Sequence, residues 1–181
     1  MSRIVMSLCT TLVLGLTACT STPNTPTNPP ATVAKVDLPR YMGSWQEVAR
    51  LPMFFQRNCA KDSRANYTLT KDGEQTVVQV VNSCLNKDGK RIQAHAIAKP
   101  VGDAKLKVNF APKFIRALGI GDADYWVLAL DDDYRYAMVG TPDKRYLWLL
   151  AREQMPTDIQ NRYIALAKSQ GYPTQDLVFD E

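Results

Sequence analysis

The sequence predicts an all-β domain: an eight-stranded antiparallel up-and-down barrel with one C-terminal α-helix packed on the outside. Three observations predict it. From Tyr41 onward the dominant hydrophobic period is two, not 3.6. Turn signals break that alternation at short intervals, as in Lys71-Asp72-Gly73, Asn86-Lys87-Asp88-Gly89, Val101-Gly102-Asp103 and Thr141-Pro142-Asp143. A single amphipathic helical stretch follows the last alternating segment. Composition agrees. Of 181 residues, 45% are hydrophobic and 22% charged, the values of an ordinary globular chain. The formal net charge of +4 is too mild to point to nucleic acid. The single His leaves little with which to build a His-based metal site or a Ser-His-Asp triad. No metal and no cofactor is expected.

Each strand has its own pattern. Segment 43–51 comes first. Segment 64–71 puts Ala65, Tyr67 and Leu69 on one face, and 75–84 follows. In 90–99, Ile92, Ala94, Ala96 and Ala98 oppose Arg91, Gln93, His95 and Lys99, so His95 points outward. In 104–110, Leu106, Val108 and Phe110 point inward. Segments 125–131, 135–140 and 145–152 are apolar on both faces. There Trp126, Leu128, Tyr136 and Met138 are expected inside, with Tyr125, Ala137 and Val139 facing the exterior or the helix. Trp148 and Leu150 share the face of Arg152. Short connections make neighbours antiparallel, and closure removes the exposed edges. The helix spans 157–170, with Thr157 as N-cap, Gln160 completing a capping box and Gly171 as stop. Residues 174–179 are expected to add a short ninth strand.

The N-terminus is different in kind. Arg3 precedes an apolar run, Ile4 to Leu16, that is too short to span a bilayer and has the shape of a secretory signal. It ends in Leu16-Thr17-Ala18-Cys19, which resembles the bacterial lipobox. That resemblance implies cleavage before Cys19, acylation of Cys19 and, with Thr20 next, sorting to the outer membrane. Residues 1–18 are thus read as signal, 19–36 as a lipidated Pro/Thr-rich tether and 37–181 as the barrel domain. Cys9 leaves with the signal and Cys19 carries lipid. Cys59 and Cys84 remain in an oxidising compartment, where an even pair implies one disulfide. Closing a loop of that length contributes about 3 kcal/mol.

Three motifs occur in order along the domain. Gly43-Ser44-Trp45 opens the first strand. Leu130-Asp131-Asp132-Asp133-Tyr134 lies between the sixth and seventh. Arg152 ends the last. Together they resemble the lipocalin signatures, and with the lipobox they resemble the bacterial outer-membrane lipocalins. The resemblance implies structural roles for Gly43, Trp45, Asp131, Tyr134 and Arg152, with Arg152 lying over the Trp45 indole at the barrel floor. It also implies a binding protein with no catalytic residues, anchored to the outer membrane and facing the periplasm, with a part in envelope maintenance or stress. A barrel of this size holds one small ligand. Its expected lining is Ala96, Val108, Phe110, Trp126, Tyr136, Met138 and Trp148, and its expected ligand a fatty acid or lysophospholipid.

Other readings stay open. Some lipocalins are thiol-dependent isomerases, and Cys84 could serve if it were free. A filled barrel would instead make an envelope protein-interaction module. The sequence sets no oligomeric state. Glu47, inward beside Trp45, is expected to hydrogen-bond across the floor. Phe54, Phe55 and the stretch 114–119 are loop apolars expected to pack over the open end. Arg50, Arg57, Lys113 and Arg116 could offer a positive rim to a head group.

Overall fold

The computed structural model describes residues 28–118 and 120–180. Cys19, the 1–18 segment and Gly119 lie outside the described residues. The strands are β1 (Gly43–Arg50), β2 (Lys61–Asp72), β3 (Gln75–Leu85), β4 (Arg91–Gly102), β5 (Lys105–Asn109), β6 (Ala123–Leu130), β7 (Tyr136–Gly140), β8 (Leu147–Ala151) and β9 (Val178–Phe179). The helices are α1 (Leu38–Tyr41), α2 (Lys113–Arg116) and α3 (Thr157–Ser169). From β2 to β8 each strand pairs with its sequence neighbours. β1 pairs antiparallel with both β2 and β8, which closes the sheet into a barrel. This is the arrangement the short turns require.

The barrel has a seam. The β1–β2 register begins at Gly43↔Tyr67 and stops at Gln46↔Arg64, after which the two strands part. There β9 pairs with β1, Ala49 opposite Phe179 and Arg50 opposite Val178. Asp180 completes the bridge. Its amide donates to the Val48 carbonyl at 3.0 Å, and its Oδ2 accepts from the Ser63 amide at 2.6 Å. The expected ninth strand is thus present but short, because Thr174–Asp176 forms a 3-10 turn.

Two apolar clusters sit on opposite faces of the wall. The inner one joins Tyr41, Trp45, Tyr67, Val80, Ala96 and Leu106 with residues of β6 to β8. The outer one lies beneath α3, whose Tyr163 and Ala167 are buried against Leu147 and Leu149. Pro156, not Thr157, occupies the N-cap, and Thr157 is already helical. The Gln160 amide donates to the Pro156 carbonyl at 3.0 Å, so no side-chain cap forms. Gly171, at φ +89°, takes the left-handed turn that ends the helix.

The facing of β6 and β7 reverses the expectation. Val127, Ala137 and Val139 lie inside with Tyr125 against them, whereas Trp126, Leu128, Tyr136 and Met138 lie outside under the helix. With both faces apolar, alternation could not orient these strands. A bulge between Val127 and Ala129 shifts the register besides. At the N-terminus, the Val33 amide donates to the Val127 carbonyl and the Val36 amide to the Asp103 carbonyl, so the barrel holds the chain from Val33 onward.

Candidate functional site

The three motifs meet at the barrel floor. Trp45 is fully buried, and its indole donates to the Tyr41 carbonyl at 2.9 Å. The Arg152 guanidinium lies 4.2 Å from the centre of that ring. Arg152 also donates to the carbonyls of Tyr134 and Met42, both at 2.7 Å, and Arg40 at 3.0 Å. Gly43 is required here. Its φ is +96°, and a Cβ would meet Arg152 Nη1 at 3.0 Å. Asp131 Oδ1 accepts from the amides of Arg135 and Tyr136, both at 2.6 Å, which shapes the β6–β7 turn. The Tyr134 hydroxyl accepts from the Asp37 amide at 2.9 Å. These residues assemble the floor.

Beside the floor, inside the barrel, stand three tyrosines. The Tyr125 hydroxyl lies 2.8 Å from that of Tyr41 and 3.1 Å from that of Tyr67. Burial pushes the Tyr67 phenol up to about 12 and those of Tyr41 and Tyr125 well above their ordinary value. All three are neutral hydroxyls at physiological pH.

A second polar group lies toward the other end. A bulge between Glu47 and Ala49 brings Arg50 onto the face of Glu47. Arg50 Nη1 donates to Glu47 Oε1 at 2.7 Å and Gln56 Nε2 to Glu47 Oε2 at 2.9 Å. The Trp148 indole donates to Gln56 Oε1 at 3.2 Å. Glu47 therefore bonds along β1 and into the β1–β2 connection, not across the floor as expected. Burial raises its carboxyl above the ordinary range, and the bonds from Gln56 and Arg50 oppose that in part. Beyond this group the interior opens. Asn82, Ala94 and Ala123 continue the inward alternation of β3, β4 and β6, yet all three are exposed. A cleft of about 350 Å³ at this end is lined by Arg50, Met53, Phe54, Gln56 and Arg57.

Of the expected lining residues, Ala96, Val108 and Trp148 lie on the inner face. Trp126, Tyr136 and Met138 do not; they pack under α3. Phe110 belongs to neither cluster and is 48% exposed. β5 ends at Asn109, whose buried amide donates to the Ile120 carbonyl and Asp122 Oδ1 and turns the chain away. Cys59 and Cys84 are bridged, so neither offers a thiolate. His95 is exposed on the outer face. The loop apolars do not cover an opening. Phe54 is 72% and Phe114 73% exposed; Phe54 packs edge-on against Phe55, which in turn meets Tyr146 edge-on. The expected cationic rim is mostly engaged. Arg50 is held by Glu47, Lys113 pairs with Asp72 at 3.4 Å, and Arg116 bonds the Ala111 carbonyl.

Residues 36–181 match the Lipocalin-like domain. The chain is a lipocalin. It is 39% identical over 151 residues to temperature-induced lipocalin-1 of Arabidopsis thaliana, across 80% of this chain and 78% of that one. It is 34% identical over 167 residues to the outer membrane lipoprotein Blc of Citrobacter freundii, across 90% of this chain and 87% of that one. Among solved structures, the cockroach allergen Per a 4 superposes with a TM-score of 0.62 at 16% identity, covering 83% of this chain and 91% of that one. Lobster apocrustacyanin A1 superposes with a TM-score of 0.58 at 18% identity, covering 87% and 91%. Both share the lipocalin fold. Sequence reasoning missed the tyrosine triad and the inward turn of Arg50. Tyr41 precedes the first strand and Tyr125 was assigned to the wrong face. Arg50, three residues after Glu47, points inward only because of the bulge.

Proposed function

We propose that this lipocalin is an outer-membrane lipoprotein, acylated at Cys19, that stores or carries a fatty acid or lysophospholipid for envelope maintenance. The acyl tail occupies the barrel and the head group stays at the open end. The observation that carries this reading is the split interior: an apolar inner wall that includes Ala96, Val108 and Leu150 gives way to exposed inward positions at Asn82, Ala94 and Ala123, and a cleft at the β1–β2 connection is lined by Arg50 and Arg57. Each buried CH₂ contributes about 0.8 kcal/mol, and a cation at the opening suits a carboxylate or phosphate. The lipobox and the similarity to outer membrane lipoproteins of several bacteria support the anchor. No thiol chemistry is assigned, because Cys59 and Cys84 are bridged.

The test is native mass spectrometry of the protein made with its own N-terminus and extracted from membranes. The expected result is a bound lipid mass, together with an acylated N-terminal Cys19 peptide. Absence of bound lipid, and no uptake of a fluorescent fatty acid, would turn the reading toward a protein-interaction module. An unmodified Met1 terminus would remove the anchor alone.

A further inference from the structure

The tyrosine triad has one hydrogen more than it can use. Three neutral hydroxyls carry three hydrogens, and the two contacts centred on Tyr125 consume two. Either Tyr125 receives from both neighbours and its own hydrogen is left over, or the chain runs one way and the last hydroxyl keeps one. No other protein acceptor lies within hydrogen-bonding distance of these hydroxyls among the described residues. Tyr41 is 2% and Tyr67 7% exposed, so a spare donor there lacks free access to bulk water. The surroundings are apolar, with Leu69, Val78, Val80, Leu106 and Leu150 in the same inner cluster. Tyr125 points inward and is only half-buried, so it is the member of the triad least enclosed by the wall. A spare donor set among apolar side chains favours a ligand that brings an acceptor to it.

From this hydrogen count we propose that the triad is a recognition site for a neutral oxygen acceptor, a keto, ester or hydroxyl oxygen, carried at the inner end of the bound chain. The inference rests on the acyl-binding reading above and deepens it: the preferred ligand is an acyl chain oxygenated near its buried end. A carboxylate does not suit the site. Of the cations near the site among the described residues, Arg50 is tied to Glu47 toward the other end and Arg152 is committed to the Trp45 ring and to backbone carbonyls, and a buried unpaired charge is costly.

The hydrogen count also dictates the variants. Tyr67→Phe removes one hydroxyl and one bond, so one spare hydrogen remains. Tyr125→Phe strands two. Only the combined Tyr41→Phe, Tyr67→Phe, Tyr125→Phe protein removes the donor, and it replaces all partners at once by apolar groups of like shape, which is the tolerated kind of change. The experiment measures displacement of 11-(dansylamino)undecanoate by hexadecanoate and by 15-oxohexadecanoate. The wild-type protein is expected to bind the oxo acid about 3- to 10-fold tighter, the worth of one such bond. The triple variant should keep its affinity for hexadecanoate and lose the preference. Independently of any variant, the carbonyl stretch of bound, isotope-labelled 15-oxohexadecanoate should fall to the lower frequency of a hydrogen-bonded ketone. Equal affinities in the wild type, an unshifted carbonyl, or a preference that persists without the hydroxyls would each overturn the inference while leaving the acyl-binding reading in place. Failure of both acids to displace the probe would instead overturn that reading, and the inference with it.

Discussion

Ala98 and Ala94 lie on the same face of the same strand, four residues apart. Ala98 is 2% exposed, packed in the cluster that contains Trp45; Ala94 is exposed. The chain, the strand and the residue type are constant, so the difference comes from what fills the barrel at each level. At the closed end, an indole and three phenols occupy the interior, and the exposed guanidinium of Arg152 ties α1 and the β6–β7 turn to the outside of that floor. Beyond the Glu47–Arg50–Gln56–Trp148 group, the inward residues Ala94, Ala123 and Asn82 are small or short and exposed. The well-packed and the loosely packed levels are therefore at different ends of one barrel, and under the proposed function binding falls to the second.

The sharpest way to break this contrast is Trp45→Ala. Loss of a fully buried indole should cost about 3–5 kcal/mol, read by denaturant titration, with the Cys59–Cys84 bridge intact by thiol titration. An unchanged midpoint would remove the floor from the account. Next, replacing both Cys59 and Cys84 by Ser should cost about 3 kcal/mol. The pair joins the β1–β2 connection to the end of β3, so this change tests whether the open end needs a covalent brace. Third, Ala98→Phe should cost about 1–3 kcal/mol by overpacking. Ala94→Phe should stay within about 0.5 kcal/mol of wild type while reducing lipid occupancy in native mass spectra. If the two substitutions behave alike, the interior is not divided.

The smallest effect concerns Glu47, at the boundary between the two ends. Its folded carboxyl titrates above the ordinary value because it is buried. Between those two values the folded chain holds more protons than the unfolded one, so stability falls as pH rises through that window. Glu47→Gln removes the titration and, because an amide NH2 cannot accept, gives up one of the two bonds from Arg50 and Gln56 equally at every pH. Its thermal midpoint relative to wild type should therefore improve as pH rises across the window. A trend of the opposite sign would show that the ion pair with Arg50 outweighs burial.

Most of the fold was legible in the sequence because strands β2 to β5 face water on one side. Their alternation encodes both strand position and facing, and Ala96 and Val108 lie where it put them. β6 and β7 are covered on both faces, by the interior and by α3, so Trp126, Tyr136 and Met138 carried no sign of their side. The site was legible where it coincided with the floor motifs, at Gly43, Trp45 and Arg152. It was illegible where backbone irregularity decided the matter. One inserted residue at Val48 turns Arg50 inward, and β5 ends at Asn109, which leaves Phe110 beyond the strand and 48% exposed. Neither leaves a mark in hydrophobic periodicity.

The last residues of the described chain have a practical consequence. Val178, Phe179 and Asp180 bridge β1 and β2 where the two do not pair with each other. Trimming the chain back to residue 177 therefore removes the clasp that holds β1 and β2 together at the seam, beside Arg50. A shortened carboxyl terminus is the wrong starting point for a stability measurement, because it opens the sheet where the β1–β2 ladder has already ended.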